Sequence, residues 1–138
     1  MQSRPLKSSW LLTSLVLLAC SACTETKVAQ CNRLVNQLNL TQTIQAPDTP
    51  QTQLVSAELL DQIVLKVEAE PIANTQILDL SKKITNHLKS VSSLLRQASA
   101  AATKQDKVEL TKSIQTAQTL IQQESQLVQE LNTACAEN

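Results

Sequence analysis

The sequence predicts an all-α protein: an up-down-up-down four-helix bundle with a long C-terminal helical hairpin, following an N-terminal export leader. Three observations predict it. Apolar residues return at spacings of three and four from Ile77 to Leu131, the period of one helix face. Prolines at positions 47, 50 and 71 break the chain upstream of that stretch, where helices must stop or restart. No glycine occurs anywhere, and the only aromatic residue, Trp10, lies in the leader.

Those two absences exclude several classes of function. Phosphate-cradling loops, dinucleotide-binding turns and nucleophile elbows use glycine because the backbone must turn sharply or approach a ligand closely. Binders of single-stranded nucleic acid stack bases on aromatic rings above a basic groove, and the chain offers neither, so no nucleic-acid partner is expected. The formal charge of the 138 residues is zero. With Arg4 and Lys7 of the leader set aside, ten basic groups face twelve acidic ones, and no charge run stands out.

Residues 1–19 read as a signal peptide, a basic start followed by an uncharged apolar run from Trp10 to Ala19, and small residues and cysteines follow over 20–23. This is the pattern of an export signal. The run falls short of the roughly 20 residues that span a bilayer as a helix, although an uncleaved anchor is the other reading. Leu17-Leu18-Ala19-Cys20 resembles the lipobox of bacterial lipoproteins, and Cys20-Ser21-Ala22-Cys23 is a second match. The resemblance covers the leader alone and implies a lipid-bearing cysteine at Cys20, with Cys23 as the alternative. It implies a mature protein that is exported and membrane-anchored on the periplasmic, lumenal or cell-surface side. Stable anchoring needs more than one acyl chain, which a diacylated or triacylated cysteine supplies.

Residues 20–25 then form a lipidated linker, and residues 26–138 a single helical domain. The roughly 115 residues after the leader are enough to bury about 65% of the unfolded surface. Val28, Cys31, Leu34, Val35 and Leu38 predict a first helix over about 26–45. Ala46-Pro47-Asp48-Thr49-Pro50 is a loop, with Thr49 placed to cap a second helix and Pro50 at its first position. Leu60, Ile63, Val64 and Val67 stripe that helix over 50–69. It ends before Pro71 or continues through it as a kinked helix. Asn74 or Thr75 caps the third, over 75–102, which carries Ile77, Ile84, Val91 and Ala98 in one heptad row and Leu80, His87, Leu94 and Ala101 in the other. Asp106-Lys107-Val108-Glu109 has the capping-box pattern that starts a fourth helix over 106–135, although one unbroken helix to Cys135 is also open. Leu110, Ile114, Ala117, Ile121, Val128 and Leu131 are its expected inner row, with Glu124 the exception.

In an up-down-up-down bundle the start of the first helix and the end of the last share one end. Cys31 and Cys135 then come close, and an exported protein keeps disulfides, so a Cys31–Cys135 bond is expected; two free thiols are the alternative. The first two helices, near 30 Å at ~1.5 Å per residue, are shorter than the hairpin pair at about 42 to 45 Å. Residues 98–102 should therefore stand bare beyond the shorter pair, as a contact site or as an inert helix end.

His87 and Glu124 interrupt the apolar seam of the hairpin, and the register brings them together. Two ligands fall short of the three or four that zinc requires, and no nucleophile accompanies them. They are expected to form a structural polar pair that fixes helix register. No catalytic, cofactor-binding or metal-ligating residue is predicted, and haem lacks a Cys-x-x-Cys-His site. The expected function is a non-catalytic, membrane-anchored lipoprotein that serves as a helical interaction or scaffold module with a protein partner. The alternative is a carrier or inhibitor that holds a lipid or small apolar ligand between its helices. The overall plan is similar to that of small lumenal lipoproteins of the cyanobacterial photosystem II type, a likeness of architecture that carries no residues across.

Overall fold

The computed structural model of the chain describes residues 25–136. The leader, Cys20 and Cys23 lie outside the described residues. Within them the fold is all-helical: α1 Lys27–Leu38, a 3-10 segment Asn39–Thr43, α2 Pro50–Glu68, α3 Thr75–Thr103 and α4 Lys107–Ala136.

Each boundary follows from local chemistry. Thr26 caps α1 by accepting from the Ala29 amide at 3.2 Å. The helix runs for only 12 residues, shorter than the periodicity suggests. Past Leu38, the Thr41 hydroxyl donates to the Leu38 carbonyl at 2.8 Å and the Thr43 hydroxyl to the Leu40 carbonyl at 2.7 Å. These bonds compete with the α-helical ladder and tighten the chain into the 3-10 segment. Thr49 and Thr52 form a reciprocal capping box with Pro50 in the first turn, so α2 starts where the prolines predict. Its last turn closes at Ala69, and Pro71 ends the helix and does not kink it. Asn74 is the residue that caps α3, accepting from the Ile77 amide at 3.1 Å.

The hairpin turn is built without glycine. Gln105 takes φ 55°, the left-handed conformation. Its amide donates to the Ala102 carbonyl, and the Asp106 amide donates to the Ala101 carbonyl at 2.9 Å. That is the Schellman arrangement that ends helices. Asp106 then starts α4 by accepting from the Val108 and Glu109 amides, both at 3.1 Å. The helix is therefore broken here and does not run on unbroken to Cys135.

The four helices pack against one another. α2 lies along α3, α4 lies along α3, and α1 touches all three, while α2 and α4 do not run side by side but share one core. The α2–α3 seam is close and partly polar. The Ser99 hydroxyl donates to the Pro50 carbonyl at 2.8 Å, and that of Ser92 donates to the Ala57 carbonyl at 3.1 Å. Ion pairs join Arg96 to Asp61 and Lys89 to Glu68. The main core sits around α1, where Cys31, Leu34, Val67 and Ile77 are the largest fully buried side chains. Burying each of the three aliphatic side chains, Leu34, Val67 and Ile77, is worth about 1.5 to 3 kcal/mol.

Two expectations are corrected. The stretch 98–102 is not bare: Ser99 and Ala101 are buried, because α2 begins level with Ser99. The expected inner row of α4 is also largely outside, with Ile114 and Ile121 each 62% exposed and Val128 50%. Leu120, Leu131 and Ala134 are the residues α4 buries, and Leu127 packs beside them. α4 carries two apolar rows, and only one of them finds a neighbour. α1 is too short to cover the other.

Candidate functional site

Two features of α4 arise from the shortness of α1. The first is a cleft of about 390 Å³ between α1, the 3-10 segment, α3 and α4. Val35 and Leu38 of α1, Ile84 and Leu88 of α3, and Leu127 and Leu131 of α4 form its apolar wall. His87 and Glu124 line the same cleft, with Asn39, Thr41, Gln42 and Asn132 at its polar side. α1 closes its base; the 3-10 segment narrows it above, where a longer helix would fill it.

The seam residues meet there, but not as a pair. His87 is 8% exposed, and its buried Nδ1 has no hydrogen-bond partner. Glu124 is exposed at the lining, and no hydrogen bond or ion pair joins it to His87. The expected register pair is therefore corrected to two separate groups facing one cleft. α4 is turned so that Leu120, Leu127 and Leu131 pack inward, which leaves the Glu124 carboxylate its hydration and gives it no reason to bury itself against imidazole.

The second feature is the exposed row itself. Ile114, Ile121 and Val128 recur every seven residues, so they stay on one face of α4. Val128 also lines the cleft beside Leu38, which puts the lower end of the row at the edge of α1. Ile121 and Ile114 continue it one and two heptads up, where no part of α1 follows.

The base of the molecule is held by covalent and polar ties. Cys31 and Cys135 form the expected disulfide, with a Cα–Cα distance of 5.8 Å. The side-chain carbonyl of buried Gln30 accepts from the Ala73 and Asn74 amides at 2.8 and 2.9 Å, and its amide donates to the Glu25 carbonyl. Arg33 donates to Glu70 and to the Pro71 carbonyl, and pairs with Glu25. A wider groove of about 610 Å³ lies between α3 and α4 on the other face, lined mostly by polar side chains and crossed by the Lys83–Glu130 ion pair.

Sequence reasoning missed Gln30, Leu120 and the exposure of the α4 row. Gln30 stands on what reads as a polar face. Leu120 lies one residue from Ile121, and a choice between two adjacent rows needs to know which neighbours exist. Among the described residues, no group of three or more His, Cys, Asp or Glu side chains comes together to hold a metal ion, and no helix is long and apolar enough to cross a membrane. No protein-family model, no curated protein and no solved structure matches the chain.

Proposed function

We propose that this protein is a non-catalytic helical interaction module, exported and tethered to a membrane by lipid on Cys20, or on Cys23, that docks a helix of a partner protein along α4. The exposed row Ile114, Ile121 and Val128 carries the reading. Three aliphatic side chains in one heptad row form a seam that fits a second helix. α1 already occupies the lower part of this lane, so the lane is shaped for a helix, and the partner continues where α1 stops. Exposed apolar residues that stay in register mark an interaction face in a way that scattered ones do not.

The contacts support the up-down-up-down order as part of this reading. Along the α2–α3 seam Pro50 meets Ser99 and Glu68 meets Lys89, while Cys31 meets Cys135 at the other end of the molecule. The lipid-bearing cysteine precedes α1 by a few residues, so the disulfide end faces the membrane. The α3–α4 turn and the upper part of the apolar row then face away from it, toward a partner.

Site-specific photo-crosslinking in cells that make the full chain tests the proposal. Crosslinkers at positions 114 and 121 should give one discrete product that is absent when the crosslinker stands at Gln123 on another face. A product of twice the chain's own mass would replace the partner by a second copy. Equal labelling at all three positions, or no product at any, sinks the docking reading. The tether is tested separately: Cys20→Ser, or Cys23→Ser, should release the protein from membranes, and retention of both variants rules the lipid anchor out.

A further inference from the structure

The cleft between α1, α3 and α4 opens where the apolar row ends. Val128 belongs to both, as the lowest residue of the row and as part of the lining. The other exposed residues of the lining are Asn39, Gln42, Glu124 and Asn132, and with Val128 they form a rim in contact with solvent. Below that rim the walls are aliphatic, from Val35 and Leu38 of α1, Ile84 and Leu88 of α3, and Leu127 and Leu131 of α4. The volume, about 390 Å³, falls in the range of binding pockets, roughly 300 to 1,000 Å³.

An apolar pocket inside a polar rim is the arrangement that holds the dominant side chain of a partner, because the rim excludes water from the anchor. Position decides what fills it. The cleft lies beside Leu38, where α1 stops, and Ile121 stands one heptad, roughly 10 Å, above Val128. A helix lying on the row therefore ends over the rim, and the group that enters the cleft is delivered by that helix. Aliphatic walls favour an apolar group in proportion to the area it buries, which is largest for an aromatic ring. Apart from Trp10 in the leader, the chain has no Phe, Tyr or Trp of its own. We propose that the partner helix inserts an aromatic side chain into this cleft from its turn nearest α1. The inference rests on the docking reading and adds the anchor to it.

The test uses the full chain in cells, with the photo-crosslinker at position 121 reporting docking and a tryptophan placed on the rim to occupy the cleft. Asn39→Trp and Gln42→Trp stand at exposed positions, so both should keep the helical circular dichroism of the parent. Each should cut the yield of the position-121 product at least about tenfold, the loss expected when a dominant anchor is kept out. Asn36→Trp, exposed on α1 but not lining the cleft, should leave the yield unchanged. A crosslinker in place of Gln42 should capture the same partner, within one helical turn of an aromatic residue by fragment mass. Full yield at position 121 from both rim variants, capture far from any aromatic residue, or a Gln42 crosslink to a lipid-sized molecule overturns the anchor while docking stands. Absence of any product from the parent chain removes both.

Discussion

Gln30 shows how one uncharged side chain can hold the base of a molecule. Its carbonyl satisfies two backbone amides of the α2–α3 connection, Ala73 and Asn74, and its own amide is satisfied by the Glu25 carbonyl. α1 is thereby fixed to the point where the chain turns after Pro71. Replacing Gln30 by Ala takes the side-chain partner from both amides, which stand at a partly exposed corner. The expected loss is about 0.5 to 1.5 kcal/mol, read as a lower urea midpoint with an unchanged slope. Arg33 and Glu70 act at the same corner but are partly solvated, so their ion pair contributes less than its crowding suggests. His87 is the opposite case: a buried group with no internal partner.

At the scale of elements, the α3–α4 turn does with Gln105 what most chains do with glycine. A residue with a Cβ in the left-handed region costs about 1 kcal/mol that glycine does not incur. Gln105→Gly should therefore raise stability by about 0.5 to 1 kcal/mol, observed as a rise in the thermal midpoint with no change in helical content. A drop would mean that the side chain of Gln105, and not its backbone, holds the turn. The α2–α3 seam relies on small polar residues: Ser92 and Ser99 bond to backbone carbonyls of α2, which lets the two helices approach closely. α4 has no such second neighbour above α1. Its inner row at Leu120, Leu127 and Leu131 packs on α3, and its outer row, Ile114, Ile121 and Val128, stays exposed.

For the whole molecule, the disulfide matters because of what it closes. Cys31 and Cys135 are 104 residues apart in sequence and join the first and last helices at one end. In the chain-entropy account a loop of that length stabilises the folded state by about 4 to 5 kcal/mol. Reduction, or the double variant Cys31→Ser and Cys135→Ser, should cost about that much, seen as a shift of the denaturant midpoint. The loss should fall first on α1, which packs at the base and is the shortest helix of the four.

The helical class, the breaks at Pro47 to Pro50 and at Pro71, the caps at Thr49, Asn74 and Asp106, and the Cys31–Cys135 pairing were all legible in the residues. Each rests on chemistry local to a few positions, or on a helix count that places two cysteines at one end. The length of α1 was not legible, because Thr41 and Thr43 can sit in a helix or can bond back to carbonyls and tighten it. That one difference settled the rest. With α1 stopped at Leu38, α4 had a single neighbour above the base and two apolar rows to choose between. A helix buries the row for which a partner exists. Only the tertiary structure could decide that Leu120 is inside and Ile121 outside, or that His87 and Glu124 line one cleft with no hydrogen bond or ion pair between them. Periodicity determines that a face is apolar, and the surrounding helices determine whether it is covered.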